Sequence, residues 1–181
     1  MATIIVGKLD AARRQLETAA LLYFNDLDLV SVHALAAAAY EVVETIAKKR
    51  GRSTLIQRSL LDFLTDDLVK EARKAIRSPQ NFFKHADKDP DEQFELDPAF
   101  TEYLMLDAMA TYAQITGETP VLFNAFSVWF ILQKPKGLNF APDVQETFAR
   151  AKKKFGAMSR QEFLKRYLTE AATIKHRGNS A

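Results

Sequence analysis

The chain reads as all-α: an antiparallel helical bundle of about seven to eight helices in a single domain. Three observations carry that reading. Apolar residues recur at three- and four-residue spacing through most of the chain, which is the period of a helix with one buried face. Six glycines and six prolines are few for 181 residues, too few for a sheet-and-turn protein. The composition, 48% hydrophobic and 27% charged, suits one ordinary core and excludes a disordered binder.

Residues 1–7 precede the first periodic run, and Thr3 to Val6 reads equally as a short strand or as an arm that docks on a neighbour. Its apolar run is too short for a signal-peptide core. From Leu9 to about Phe24, Leu9, Ala12, Leu16, Ala19, Ala20 and Tyr23 share a face opposite Arg13, Arg14 and Glu17, which predicts a first amphipathic helix. Asn25 to Asp28 breaks the pattern and offers caps. The second helix, about Leu29 to Arg50, is the most apolar long element, with Val30, Leu35, Ala36 to Ala39, Tyr40, Val42, Val43 and Ile46. It should run through the middle of the bundle.

His33 lies on that helix with Glu41 and Glu44 after it. A carboxylate–histidine metal site in a helical bundle uses Glu-x-x-His pairs, and the chain has none, so His33 reads as a core histidine with a hydrogen-bond partner. The turn Lys48-Lys49-Arg50-Gly51-Arg52 suits a helix C-terminus, where cations meet the dipole and glycine takes the left-handed conformation. Thr54 to Leu64 predicts a shorter helix. Thr65, Asp66 and Asp67 open another that ends at Ser78-Pro79.

Past His85 the chain turns acidic, and Asp87-x-Asp89-x-Asp91 has the alternation of a calcium loop. Glu92 and Pro98 stand where that loop needs glycine and glutamate, so the stretch reads as a solvated connection. Asp97-Pro98 is a cap and first-turn proline, and the helix it opens stops at Gly117. Thr119-Pro120 repeats the device before an aromatic stripe of Leu122, Phe123, Phe126, Trp129, Phe130 and Ile131, which reads as core or dimer interface. A connection from Gln133 to Pro142 follows, then a helix from Pro142 to about Phe155 ended by Gly156. Ser159-x-x-Glu162 is a capping box that opens the last helix, and the tail from Lys175 to Ala181 should fray. Lys152 to Lys154 and Lys165-Arg166 read as charges on helix faces.

With no cysteine there is no disulfide, thiolate nucleophile or sulfur-ligated zinc. A net charge of +2 and a pI near 8.8 mean that any nucleic-acid contact must come from local clustering. The most apolar stretch after the second helix, Pro120 to Leu132, falls short of the roughly 20 residues that span a bilayer. A cytoplasmic protein with no membrane partner is the simplest expectation. No Gly-rich phosphate loop, serine elbow or His-Glu-x-x-His is present, and neither a metal nor a cofactor is implied.

One stretch gathers the chemistry: Arg77-Ser78-Pro79-Gln80-Asn81-Phe82-Phe83-Lys84-His85, followed by Asp87 and Lys88. With Ser78 as N-cap and Pro79 as the first residue, a helix to about Asp87 would put Asn81, Lys84, His85 and Lys88 on one face. Phe82, Phe83 and Ala86 would anchor it. Such a face suits a phosphate-bearing partner: ammonium groups supply charge, the amide oriented hydrogen bonds, and imidazole a proton near neutral pH. The bland reading beside it is a histidine capping a short helix whose lysines are simply wet.

The run Asn81-Phe82-Phe83-Lys84-His85 resembles the polar-residue-x-x-x-histidine half of the motif of HEPN domains. Those are all-helical proteins, usually dimeric, many of them metal-independent ribonucleases of toxin–antitoxin and defence systems. The resemblance implies Asn81 and His85 as catalytic residues, with Arg77 and Lys84 as substitute phosphate-binding cations, and the shared face adds Lys88 to them. It also implies RNA or a nucleotide as partner and a homodimer as the assembly. Active members carry arginine immediately before the polar residue, and here that position is Gln80. The alternative expectation is a non-catalytic helical protein that binds a protein partner or a small ligand.

Overall fold

The structure is a computed structural model that describes residues 3–54, 78–85, 90–133 and 142–178. Among the described residues all regular structure is α-helical. Six helices are α1 (Lys8–Phe24), α2 (Leu29–Lys49), α3 (Pro98–Thr116), α4 (Val121–Gln133), α5 (Pro142–Phe155) and α6 (Arg160–Gly178). Residues 78–84 add a short helical stretch. Residues 3–7 form no strand, and Ile4, Ile5 and Val6 are exposed. The two helices expected between Thr54 and Ser78 lie almost wholly outside the described residues.

Helices α1 to α4 pack around one core. The four residues joining α1 to α2 force those two to run antiparallel. Tyr103 meets Phe130 at 5.0 Å and Tyr112 meets Phe123 at 5.4 Å between ring centroids, so α3 and α4 are antiparallel too. By contrast, α2 and α3 run side by side in the same direction. His33 faces Thr101 near their starts, and the Arg50 guanidinium reaches the carbonyl of Ile115 near their ends. A chain that leaves the far end of α2 must travel back about 30 Å, at 1.5 Å per helical residue, before α3 can begin. The long connection between them is that return, and it carries the candidate site.

The local signals set most helix ends. Asp28 accepts the Ser31 N–H at 2.8 Å, Asp97 accepts the Ala99 N–H at 2.8 Å, and Pro98 follows as the first helical residue. Gly117 ends α3 with φ 76°. Ser159 and Glu162 cap α6 reciprocally, at 2.9 Å and 3.2 Å. Two ends differ from expectation, and one turn does more than expected. Helix α4 starts at Val121, one residue late, because the Pro120 carbonyl accepts from Asn124 N–H and so makes Pro120 the boundary. Helix α6 continues through Gly178 instead of fraying from Lys175. The basic turn after α2 also serves a second helix: Arg50 and Arg52 donate to the carbonyls of Ile115 and Gln114, two of the unpaired acceptors at the end of α3.

The core joins Leu16, Ala19, Tyr23 and Phe24 of α1, Ala36, Ala39 and Val43 of α2, Leu104, Met105 and Ala108 of α3, and Phe123 and Phe126 of α4. Each fully buried Leu or Phe there contributes about 1.5–3 kcal/mol. The aromatic stripe of α4 is core: Phe123, Phe126, Trp129 and Phe130 are buried. It is therefore no exposed patch for a dimer or a partner. Phe163 of α6 stacks on Phe24 at 6.0 Å and lies 5.1 Å from Trp129, which seats α6 over α1 and α4. Among the described residues α2 is the one helix long and apolar enough to cross a membrane, and here it lies between α1 and α3 with His33, Tyr40 and Val43 buried. Val30, one of its apolar residues, is 45% exposed near the start of the helix.

Candidate functional site

The connection returns along α2. Gln80 lies beside Glu41, Phe83 beside His33, and the chain then reaches Phe94 and the start of α3. Helix geometry begins no later than Ser78, so Ser78 is helical rather than the N-cap, and Pro79 is buried inside the stretch. The residue before a proline is biased away from helical dihedrals but not barred from them. The helix ends at Lys84, short of Asp87. The His85 N–H still donates to the Asn81 carbonyl at 3.0 Å, which keeps both residues in one turn.

Of the residues singled out, Asn81, Lys84 and His85 are exposed on this turn. Arg77, Ala86, Asp87 and Lys88 lie outside the described residues. The anchor is aromatic: Phe82 and Phe83 are half-buried, each within 6.2 Å of Phe94, with Phe82–Phe94 centroids at 5.3 Å. Edge-to-face and offset rings of this kind contribute about 0.5–1.5 kcal/mol per pair beyond their burial.

Beneath the exposed turn sits Gln80, 4% exposed. With its amide oriented as its neighbours require, the nitrogen donates to Glu41 Oε1 at 3.0 Å and the oxygen accepts from Lys84 Nζ at 2.6 Å. The amide thus joins a carboxylate on α2 to an ammonium on the turn. This neutral bridge draws Lys84 toward Glu41.

His33 lies under the same segment and is fully buried. Its ring is edge-on to Phe83 at 5.8 Å and stacked on Phe100 at 6.1 Å. Nδ1 lies 3.0 Å from Thr101 Oγ1, and Nε2 has no hydrogen-bond partner among the described residues. Burial lowers its pKa to about 4, so the imidazole is neutral at pH 7. This is the core histidine with a partner that the sequence predicts. Among the described residues no group of three or more His, Asp or Glu side chains is placed to hold a metal ion.

Two polar clusters went unseen in the sequence. Asp107, 2% exposed, accepts from Thr111 Oγ1 at 3.2 Å, and the buried Tyr40 hydroxyl lies 3.3 Å from Thr54 Oγ1. Burial, then the charge of Asp107, pushes the Tyr40 phenol well above its usual range. A lone aspartate inside the apolar run of α3 was the available signal. The second cluster joins α1, α3, α4 and α6. The Tyr23 hydroxyl donates to Glu102 Oε1 at 2.6 Å and accepts from Trp129 Nε1 at 3.3 Å, while the Arg160 guanidinium covers the Tyr23 ring at 4.1 Å and pairs with Asp26 at 3.0 Å. No local motif marks it. Comparison of the chain with known protein families, curated proteins and solved structures finds no match.

Proposed function

We propose that this is a HEPN-like helical protein of the cytoplasm that binds the phosphate backbone of RNA through Asn81, Lys84 and His85, and that it binds without cleaving. The observation that carries the reading is the bridge at Gln80. Cleavage develops charge on a pentacoordinate phosphorus, and a missing charge-stabilising donor slows such steps by two to three orders of magnitude, about 2.7–4 kcal/mol. Here a neutral amide fills the arginine position and also accepts from the nearest ammonium, Lys84. Binding asks less: an exposed amide, an imidazole and an ammonium on one turn still recognise a phosphate oxygen.

The test is fluorescence polarisation with labelled single-stranded RNA, beside a gel that follows its length, in the presence of a chelator. Binding should weaken several-fold in the triple variant Asn81→Ala, Lys84→Ala, His85→Ala, with the RNA intact throughout. Equal binding by wild type and triple variant removes the reading. Cleavage by wild type that stops in His85→Ala replaces it with the ribonuclease. A homodimer belongs to the same proposal, and light scattering that finds a monomer at micromolar concentration removes that part.

A further inference from the structure

The charge of the chain is segregated. Residues 142–178 hold nine Lys and Arg against four Asp and Glu, a net +5, while the whole chain is only +2. The remainder is therefore −3. This excess falls on the helix pair α5 and α6, on the side of the bundle built by α1 and α4, whereas the 78–85 turn lies on α2. The two basic runs that read separately as solvated helix faces are brought together by the fold. Between the helices runs an open groove of about 730 Å³ with Lys154, Lys165 and Arg166 along it and Met158 among its lining residues.

Part of this cation set is pre-organised. Lys154 Nζ and Arg166 Nε hold one carboxylate between them, Glu170, at 2.8 Å and 3.1 Å. Their hydrogen bonds keep the Glu170 carboxyl below its usual pKa, Lys154 contributing first. Both cations also lie over the Phe155 ring, at 4.8 Å and 5.6 Å from its centroid. One carboxylate and one ring thus fix the spacing of two cations across two helices, and one positive charge is left over. Lys152, Lys153 and Lys165 are exposed and pair with no carboxylate among the described residues.

We infer that the groove between α5 and α6 is a second binding surface, for the phosphate backbone of a nucleic-acid duplex. The charge excess is complementary to a polyanion, and an open groove with cations spread along two helices matches a repeating charge better than a single small anion. Among the described residues the groove has no exposed aromatic ring, and Phe155 is half-buried beneath its two cations. Single-strand surfaces add aromatic rings on which bases stack, so the arrangement favours a duplex read by its backbone alone and without sequence preference.

The test is independent of the turn at residues 81–85. Full-length protein is titrated against labelled duplex RNA and duplex DNA of arbitrary sequence across 50–200 mM salt. Wild type is compared with Lys152→Ala, Lys153→Ala, Lys165→Ala and with a control of equal charge loss, Lys8→Ala, Lys48→Ala, Lys49→Ala. Circular dichroism confirms that both remain helical. The first variant, in which Lys165 lines the groove and Lys152 and Lys153 precede its Lys154 on α5, should bind a duplex at least about tenfold more weakly at low salt, with the slope of log K against log salt shallower by about 0.9 per lysine removed, and the control should bind as wild type does. Equal loss in both variants, or binding only to poly-glutamate or to anionic vesicles, overturns the inference, as does no duplex binding at 50 mM salt.

Discussion

Nδ1 of His33 lies 3.0 Å from Oγ1 of Thr101, while Nε2 on the other side of the ring meets no partner among the described residues. A neutral ring satisfies this site with one hydrogen bond, and a protonated ring would bury a charge between Phe83 and Phe100. The folded pKa is about 4, below the unfolded value near 6.5. The unfolded state therefore binds the proton first. Stability is complete above about pH 6.5 and falls as pH drops toward about 4, by about 3 kcal/mol in all. Urea unfolding of wild type and His33→Phe between pH 4.5 and 7.5 checks this. The gap between them should shift in favour of the variant as pH falls, and a constant gap would falsify the assignment.

Gln80 couples two elements. Its amide takes one hydrogen bond to Glu41 and one from Lys84, both charged partners, and such bonds contribute about 1.5–3 kcal/mol each when well made. Because Glu41 and Lys84 are themselves exposed, the cost of Gln80→Ala should sit near the bottom of that range, about 1–2 kcal/mol. A double-mutant cycle with Lys84→Ala reads the pair alone. The expected coupling is at least about 0.5 kcal/mol, and additive losses would mean that the bridge contributes nothing in solution.

How much of this was legible follows the range of each interaction. Ser159 with Glu162, Asp97 with Pro98, and Gly117 act within a turn, so their chemistry can be read from neighbouring letters, and the helices they bound are where the pattern places them. The aromatic face of α4 was legible as core or dimer interface but not as which of the two, because what covers it arrives from α1, α3 and α6. Tyr23 and Glu102 are 79 residues apart, and periodicity carries nothing about such a pair. The site divides in the same way. Asn81, Lys84 and His85 share a turn by spacing alone, whereas Gln80 could be seen only as a departure from a motif. That it bridges to Glu41 depends on how the connection returns along α2.

The chain has one tryptophan, Trp129, and its indole N–H donates to Tyr23, whose hydroxyl donates to Glu102. Tyr23→Phe removes the middle of that relay and leaves a buried N–H and a largely buried carboxylate without it. Loss of stability should be about 1–3 kcal/mol. Burial, followed by Glu102, also holds the phenol far above its ordinary pKa, so Tyr23 stays protonated through the alkaline range in which exposed tyrosines ionise. Fluorescence of the single indole should shift in Tyr23→Phe at neutral pH while far-ultraviolet dichroism stays the same. An unchanged emission spectrum and unfolding midpoint would show that the relay is not made.

Two glycines end helices for different reasons, and substitution separates them. At Gly117 the space around a Cβ is open, so Gly117→Ala meets only the left-handed backbone at φ 76° and should cost about 1–2 kcal/mol. Gly156 has no such φ, but a Cβ there would lie 2.6 Å from the backbone carbonyl oxygen of Lys152, which itself accepts the Gly156 N–H at 2.8 Å. Relief requires moving the backbone that turns α5 toward α6. Gly156→Ala should therefore cost more than Gly117→Ala, and it should also loosen the Lys154–Glu170 pair that spans the two helices. Thermal unfolding ranks the two variants. If Gly156→Ala proves the milder change, the turn between α5 and α6 has room that this geometry denies.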